Sequence, residues 1–537
     1  MRRWNGWAVD GTAAELSPDA LRLLELEVGR ALEDLPPDAA LEAVVAAVPA
    51  SRLTADPRLI VDGEDRIRHA RGQSLPDWIA LRSGRLRAVP DAVAHPTTDD
   101  DVRELLALAG AASARVIPYG GGTSVVGGVT PPETDDGRPT LTLALDRFAG
   151  MTKLDERSGL ATFGAGTTGP EIEAALAPHG LTLGHFPQSF ERSTIGGWVA
   201  TRSAGQQSLG FGRIEALFAG GLVVAPAGTL ELPAHPASAA GPDLRQLVLG
   251  SEGRLGVITR TTVRAVPKPP RQAFPAWFLP DWPRAVEAGR ALARSGLPLS
   301  MIRVSTPHET QSLLAMAGRS RGGELLGRYL RLRGLGPERS LLLIGATGLE
   351  RFVEGAVREA GSILRRHGGV AVGGSIGRRW IAGRFRSAEL RDSLWDAGYA
   401  LDTLETAADW STLPDLAAAL GRTLRHGLDG RGERVHAFTH LSHLYGDGSS
   451  VYVTYVFRRA ADADETLDRW RALKSAASAA IVADGGTISH QHGVGRDHLP
   501  YLAAEKGDLG MAILHDVARR MDPAGTMNPG VLLEDAG

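Results

Sequence analysis

The stretch of sequence that most constrains this chain is VIPYGGGTSVVGG, from Val116 to Gly128. A strand-like segment leads into three consecutive glycines, Gly120 to Gly122, and two hydroxyl residues follow them. Glycine allows positive φ angles and has no Cβ, so successive main-chain N–H groups can converge on one anion. We interpret the stretch as a loop that binds the pyrophosphate of a dinucleotide. An ordinary tight turn is the alternative, because the spacing matches neither the Rossmann nor the P-loop signature.

Three further blocks follow the glycine loop. They read GHFPQSFERSTIGG (184–197), WVATRSAG (198–205) and LGSEGRLGVITRTTVRAVPKP (249–269). With the loop, they resemble the FAD-binding domain of the vanillyl-alcohol-oxidase type of flavoprotein, the PCMH-type FAD-linked oxidase family, over about 91–269. The resemblance implies FAD, bound by residues of the four blocks: Pro118, Tyr119, Gly120, Gly121, Gly122, Thr123, Ser124, Pro187, Gln188, Ser189, Ser193, Thr194, Ala200, Thr201, Arg202, Ser203, Ser251, Glu252, Gly253, Leu255, Gly256, Val257 and Ile258.

The mode of FAD attachment follows from which side chains are present. Relatives that link FAD covalently use a histidine or cysteine, and the histidine often lies inside the glycine loop. Here Gly122 and Thr123 stand at that place, and the chain has no cysteine. We therefore predict non-covalent FAD.

The chain length of 537 residues predicts two or three domains. We expect an α+β protein, with a two-subdomain PCMH-type FAD-binding domain at 88–270 and an α+β substrate-covering domain at 271–483. A helical region at 1–87 precedes them, and a segment at 484–537 returns to the flavin site. Helical patterns occupy 17–35, 39–48 and about 508–521, and a helix starts at the Thr98–Asp99 pair.

Composition limits the partners and the location. A net charge of −3 favours neither nucleic acid nor an anionic membrane, and the absence of cysteine excludes disulfides and thiolate metal sites. Without a signal-peptide pattern or a run of 18 apolar residues, we expect a cytoplasmic protein with a small-molecule or lipid substrate. The basic amphipathic stretch 310–336 suits either peripheral contact with the inner membrane surface or packing on the core. A homodimer is a further expectation.

Two segments near the C-terminus carry candidate acid–base residues. In ISHQHGVGR (488–496), His490 and His492 are two residues apart, so on a strand end both would face one cavity; two satisfied polar residues are the alternative. In SVYVTYVF (450–457), Tyr452 lies on one face and Tyr455 on the other, where a core role is expected. His440 and His443 lack an evident third ligand, and we predict no metal site.

These segments also separate branches of the flavoprotein family. The D-lactate dehydrogenase branch binds a divalent metal through HxGDGNxH and an A-E-H-G sequence. This chain keeps only the GDG at 446–448, and Gln491 replaces the glutamate. An amide is a poor substitute for a carboxylate ligand, so a metal-assisted hydroxy-acid dehydrogenase is disfavoured.

The chain instead resembles the alkylglycerone-phosphate synthases (alkyl-dihydroxyacetone-phosphate synthases) over nearly its whole length. The matching motifs, in order, are RWNGW (3–7), GGGTS (120–124), GH-P-S (184–189), ST-GGWV-TR (193–202), SEG-LGVIT (251–259), IRV (302–304), LRD (390–392), ETAADW (405–410), VY (451–452) and SHQHGVG (489–495). One departure is Gln491, where that family has a third consecutive histidine.

The resemblance implies a reaction without net redox change. The acyl group of acyl-dihydroxyacetone phosphate is exchanged for a long-chain alcohol, with flavin N5 as the nucleophile that holds the substrate carbon. It implies Tyr452 and His492 as the acid–base pair, with His490 in support and His185 as a further catalytic residue against the flavin. Arg391 would bind the substrate phosphate, and Arg303 would lie in the inner shell of the same substrate site.

Alternatives remain for these residues and for the function. The alternative for Arg391 is a surface helix charge, and for Arg303 a strand-end ion pair. For the whole chain, the alternative is an FAD-linked oxidase or dehydrogenase of a hydroxylated substrate such as a 2-hydroxy acid. A flavin-binding protein without turnover is a third reading.

Overall fold

The computed structural model describes residues 3–8, 16–134, 136–316 and 321–535. Its N-terminal region is helical: α1 (Pro18–Glu27), α2 (Leu41–Ala46), α3 (Gly63–Arg68) and α4 (Leu75–Ser83). The helical patterns at 17–35 and 39–48 were too long. The first helix ends early because Gly29, with a φ of 109°, turns the chain out of the helical region.

The glycine loop follows a strand of a parallel sheet. The sheet has the order β1-β3-β2, with β1 (Ala92–Ala94), β2 (Arg115–Tyr119) and β3 (Thr140–Ala144), and α5 (Asp99–Ala111) precedes β2. The start of this helix at Thr98 is confirmed, because the Thr98 hydroxyl accepts the Asp101 N–H in a capping box. The apolar face of α5 is buried on the sheet.

A second, antiparallel sheet completes the predicted FAD-binding domain, called the flavin domain below. Its order is β4-β5-β9-β7-β8, with β4 (Met151–Asp155), β5 (Leu160–Gly164), β7 (Phe218–Ala225), β8 (Gly228–Leu232) and β9 (Val257–Arg264); β6 (Leu181–Thr182) pairs with β10 (Val266–Pro267). The helices of this region are α6 (Gly169–Leu176), α7 (Ile195–Thr201), α8 (Ser208–Phe211), α9 (Ile214–Leu217) and α10 (Arg245–Val248).

The covering domain is built on a large antiparallel sheet whose strands differ in length. Its main path is β15-β12-β14-β13-β17-β18-β16, with β11 beside β14. The strands are β11 (Arg271–Ala273), β12 (Ala276–Leu279), β13 (Leu299–Ser305), β14 (Ser340–Gly348), β15 (Val370–Ala371), β16 (Tyr399–Asp409), β17 (Val435–Leu441) and β18 (Gly448–Arg458). Strands β16 and β18 pair over their full length, which places Glu405 opposite Tyr452.

Helices cover this sheet. They are α11 (Trp282–Ala293), α12 (Pro307–Met316), α13 (Arg321–Leu332), α14 (Glu350–Arg366), α15 (Ser375–Gly383), α16 (Leu390–Asp396), α17 (Leu413–His426) and α18 (Ala463–Ala483). The stretch 310–336 therefore forms parts of two helices, and its residues 317–320 lie outside the described residues. In the described part of the chain, no helix is long and apolar enough to cross a membrane.

The C-terminal segment returns to the flavin domain. Its helix α19 (Leu499–Met521) starts earlier than the predicted 508, with a break at Gly507, whose φ is 68°. Beyond the helix, Val116 N–H donates to Thr526 O, and Asn528 N–H donates to Val116 O. These bonds pair the last residues with the strand that leads into the glycine loop.

Candidate active site

A cavity of about 240 Å³ runs from the glycine loop to the covering sheet. Of the predicted FAD-binding residues, most line it: Pro118, Gly120, Gly121, Gly122, Thr123, Ser124, Pro187, Gln188, Ser189, Ser193, Thr194, Ala200, Thr201, Ser203, Glu252, Gly253, Gly256 and Ile258. The remaining predicted residues are not part of this lining: Tyr119, Arg202, Ser251, Leu255 and Val257. From the covering domain, the lining includes Arg391, Tyr452 and His492.

The glycines are needed where the loop meets the second block. A Cβ on Gly121 would lie 1.9 Å from the Arg192 carbonyl oxygen, and one on Gly120 would lie 2.5 Å from Thr194 Oγ1. Gly122 has a φ of 63°. Bare backbone and hydroxyl donors at one end of an elongated cavity fit the pyrophosphate of a dinucleotide.

Tyr119 holds the loop from below rather than facing the cavity. Its hydroxyl lies 3.1 Å from the Arg68 carbonyl oxygen and 3.0 Å from that of Arg71. A Cβ on Gly122 would collide with this hydroxyl at 2.1 Å. Tyr119 therefore positions the loop, and its direct contact with the cofactor stays a prediction.

Tyr452 and His492 face each other across the other end of the cavity. Their rings meet edge to face, with centroids 5.9 Å apart. Burial raises the pKa of the Tyr452 phenol to about 12 and lowers the pKa of His492 to about 4. Among the described residues, His492 Nδ1 has no hydrogen-bond partner. A protonated phenol and a neutral imidazole can give and take a proton, respectively, at neutral pH.

His490 does not line the cavity, so the two histidines of the motif do not face one space together. His490 Nε2 lies 2.7 Å from the Tyr445 hydroxyl and 3.1 Å from Arg213 Nη1. Arg213 also donates to the His490 carbonyl oxygen at 3.0 Å. The His490 ring is thus held one layer behind His492, and its catalytic support stays a prediction.

Glu405 is a site residue that the sequence interpretation missed. It is buried on β16, and its carboxylate accepts hydrogen bonds from the Ser442 hydroxyl and the Gln491 amide. The other end of Gln491 accepts the Ala204 N–H at 3.3 Å. Gln491 therefore bridges the flavin domain and the covering domain, although it replaces a histidine. Of the matching sequence motifs, only ETAADW contains Glu405.

Arg391 reaches the cavity wall, but its charge is already paired. Its Nη2 lies 2.7 Å from Asp402 Oδ1, and its Nη1 donates to the Gln73 carbonyl oxygen. The guanidinium also lies over the Trp78 ring, 5.4 Å from its centroid. This buried residue is not the surface charge of the alternative reading, and phosphate binding by it stays a prediction.

Arg303 lies outside the cavity lining and acts on it through neighbours. Its Nη2 is 2.7 Å from Glu309 Oε1 and 3.1 Å from His440 Nδ1. The His440 ring in turn stacks on Tyr452, with centroids 4.8 Å apart. Arg303 therefore helps to hold the tyrosine, and a direct substrate contact stays a prediction.

His185 is also one layer away from the cavity. It is buried, its Nε2 lies 3.2 Å from Ser203 Oγ, and its ring packs on Trp198. Burial lowers the pKa of His185 to about 3, so the ring is neutral. Ser203 and Trp198 line the cavity between His185 and the cofactor space.

The N-terminal WNGW motif contributes to the site through Asp392. The Asp392 carboxylate accepts the main-chain N–H groups of Trp7 and Ala8 at 3.0 and 2.9 Å and pairs with Arg82 at 2.6 Å. A Cβ on Gly6 would lie 2.2 Å from Asp392 Oδ1. Trp7 thereby becomes part of the cavity lining, which the motif match alone did not reveal.

Glu252 ties the C-terminal motif to the flavin domain. Its carboxylate accepts the N–H groups of Val494 and Gly495 at 2.6 and 2.8 Å. Burial raises the pKa of this carboxyl to about 7, while the two N–H donors act in the opposite direction. The side chain was predicted as a cofactor residue, and it also fixes the segment that carries His492.

Comparisons with known proteins agree with this architecture. Residues 90–232 match the family described as FAD binding domain, and residues 268–532 match that described as FAD linked oxidases, C-terminal domain. FAD as the cofactor and the α+β, PCMH-type fold are thereby confirmed. The predicted domain boundaries stay predictions.

Similar proteins span most of the chain. Alkyldihydroxyacetonephosphate synthase of Dictyostelium discoideum is 30% identical over 87% of this chain and 77% of its own length. The synthase of Trypanosoma brucei brucei is 27% identical, with coverage of 88% and 78%. A solved alkyldihydroxyacetonephosphate synthase structure matches 98% of both chains at 27% identity with a TM-score of 0.82. p-Cresol methylhydroxylase shares the fold, with a TM-score of 0.67 at 14% identity over 92% of this chain and 96% of its own.

Proposed function

The chain belongs to the alkyldihydroxyacetonephosphate synthase family, and we propose that it exchanges the acyl group of an acyl-dihydroxyacetone phosphate for a long-chain alcohol. The bond between the substrate carbon and the acyl oxygen breaks, and the fatty acid leaves with the electron pair and one proton. The alcohol oxygen bonds to the same carbon and loses its proton. Electrons balance without an external oxidant, and the product is an ether lipid precursor.

The glycine loop and the facing blocks would hold FAD, which would supply the electron-pair chemistry at the substrate carbon. The chain supplies the proton transfers. Tyr452 stays protonated at neutral pH, since burial raises its pKa to about 12, and can donate to the leaving oxygen. His492 stays neutral, since burial lowers its pKa to about 4, and can accept the alcohol proton.

One observation carries this proposal: a protonated phenol, Tyr452, and a neutral imidazole, His492, line the same cavity as the glycine loop. His492 Nδ1 has no hydrogen-bond partner among the described residues, and the Tyr452 hydroxyl donates to Gln188 Oε1 at 3.4 Å, in the predicted cofactor-binding block.

The test is an anaerobic exchange assay with FAD-loaded protein, palmitoyl-dihydroxyacetone phosphate and ¹⁸O-labelled hexadecanol. We expect one palmitate and one hexadecyl ether per turnover, with the label retained in the ether and the flavin oxidised at the end. A chain that forms no ether, yet is lastingly reduced by a 2-hydroxy acid, would refute the proposal.

Net oxidation of a hydroxylated substrate has less support. A relative with an oxidoreductase name, the mitochondrial cytochrome-type D-lactate dehydrogenase of Arabidopsis thaliana, is 24% identical over 83% of this chain. The donor screen in the assay above distinguishes the two activities directly.

We further propose that the chain works at the cytoplasmic face of a membrane, where a long-chain alcohol is dissolved. Leu325, Tyr329 and Leu332 are exposed on α13, spaced as one helical stripe, and arginines accompany them. In vesicle flotation we expect binding that Leu325→Ser/Leu332→Ser weakens. Equal flotation of both proteins, or flotation of neither, would contradict this location.

A further inference from the structure

Glu405 lies at the centre of a buried cluster that the proposed reaction does not yet use. Its Oε1 lies 3.3 Å from His490 Nδ1 and 3.9 Å from His443 Nε2. Its Oε2 lies 3.9 Å from His492 Nε2. The side chain is fully shielded from solvent, and its strand position is directly opposite Tyr452. Burying a carboxylate costs free energy unless neighbouring groups stabilise its charge, so the neighbours of Glu405 must supply that stabilisation.

The hydrogen bonds around His490 fix where its proton lies. A guanidinium can only donate, so Arg213 Nη1, at 3.1 Å, requires a lone pair on His490 Nε2. The ring proton is then on Nδ1, which faces Glu405 Oε1. Burial works against ionisation of Glu405, but the surrounding histidines lower the pKa of the carboxyl well below its usual range. Because the Arg213 guanidinium lies beside this cluster, a further positive charge within the cluster is also disfavoured.

The two ring nitrogens of His492 also have different surroundings. Nε2 lies 3.9 Å from Glu405 Oε2, whereas Nδ1 is buried without a hydrogen-bond partner among the described residues. A carboxylate stabilises the tautomer with the proton on the nitrogen nearest to it. We propose that Glu405 is a positioning residue that keeps the His492 proton on Nε2, so that Nδ1 carries the lone pair that accepts the proton of the substrate alcohol.

This inference rests on the proposed function for the identity of the proton donor, but the tautomer does not depend on it. Three links hold Glu405 against the motif: the Gln491 amide, the His490 main-chain N–H to the Glu405 carbonyl oxygen at 3.1 Å, and the His490 ring. The carboxylate therefore sets both the place and the protonation of the segment 490–492.

The first experiment compares Glu405→Gln with the wild-type holoenzyme in the exchange assay across pH. We expect kcat to fall at least about tenfold with KM within about twofold. Because the lost negative charge favoured protonated His492, the acid limb of the kcat profile should move to lower pH. The matched control is Glu433→Gln, which removes a carboxylate paired with Arg458 and Arg469, away from the cavity. An unmoved acid limb in folded, FAD-loaded Glu405→Gln would overturn the inference.

The second experiment needs no variant of Glu405 and no turnover. Protein labelled with ¹⁵N-histidine, with His492 assigned by its loss in His492→Gln, should show neutral His492 protonated on Nε2 at pH 7. The opposite tautomer, an imidazolium, or one bound metal ion per chain would overturn the inference. If the tautomer is as expected but no ether forms, the proposed function fails and the positioning role stands. If ether forms with the opposite tautomer, the reverse holds.

Discussion

The hydroxyl of Tyr452 is the group whose removal should affect chemistry and little else. The ring packs on His440, and the phenol donates a long hydrogen bond to Gln188. Tyr452→Phe should therefore retain fold and FAD while its exchange rate falls by about 100-fold or more, because the acid is lost. Absorbance at the flavin maximum and the rate of ether formation measure the two effects. A fully active Tyr452→Phe would show that another group donates the proton.

Arg391 requires a double substitution, because it has a structural partner. Arg391→Met alone leaves Asp402 buried without its cation and should cost about 3 kcal/mol or more of unfolding free energy. Arg391→Met/Asp402→Asn should regain most of that stability. If Arg391 binds phosphate, the double variant should raise KM at least about tenfold for the phosphorylated substrate and leave a dephosphorylated analogue unchanged. Equal KM changes for both would remove the phosphate role.

Asp497 should make stability depend on pH. Its Oδ2 has no partner among the described residues, and burial raises its pKa to about 7. With the folded-state pKa raised, stability is intact below about pH 4 and is lost as pH rises through 7. Asp497→Asn should thus raise the free energy of unfolding by about 1–3 kcal/mol at pH 8 and little at pH 4. Denaturant titrations of the holoenzyme at both values test this. A pH-independent difference would mean that Asp497 stays ionised.

Among secondary-structure elements, those with a strong local signal were predictable from sequence. Helix α5 begins where its capping pair predicts, and β18 buries Tyr455 on the face opposite Tyr452. The predicted helix is longer than α1, because the spacing of apolar residues does not show that Gly29 adopts a positive φ and ends the helix. Glu405 and Arg213 escaped prediction because their contacts join strands and loops that are far apart in sequence. The glycine loop was predictable because the residues that form it are consecutive in the sequence.

The element that carries WNGW should be sensitive to one methyl group. Gly6→Ala places a Cβ 2.2 Å from Asp392 Oδ1, so the motif must shift, at a cost of about 1–3 kcal/mol. Because Trp7 lines the cavity, FAD should also dissociate faster. The matched control is Gly110→Ala in α5, where no described atom lies within 4 Å and stability should rise by about 0.5–1 kcal/mol. Thermal unfolding and FAD release report both; unchanged FAD release in Gly6→Ala would separate the motif from the cavity.

At the scale of the whole molecule, the site exists only because distant parts of the chain are joined. The cavity lining draws on the N-terminal motif, the flavin domain, the covering sheet and the segment after α18. Gly495 lies at the junction of two of these parts. Its N–H donates to Glu252, and the next residue, Arg496, donates its N–H to the Val126 carbonyl oxygen at 2.8 Å. The C-terminal motif therefore holds the end of the glycine loop.

Gly495→Ala should break this junction, because its Cβ would lie 2.0 Å from the Val126 carbonyl oxygen. Its positive φ of 55° adds about 1 kcal/mol of backbone strain. Gly485→Ala is the control, since Gly485 has a φ of 72° but no described atom within 4 Å, so it carries the strain without the collision. We expect FAD affinity to fall at least about tenfold in Gly495→Ala and to stay near wild type in Gly485→Ala, with both measured by flavin fluorescence on dilution. If the two variants release FAD equally, backbone strain alone accounts for the loss, and the glycine loop does not depend on the C-terminal motif.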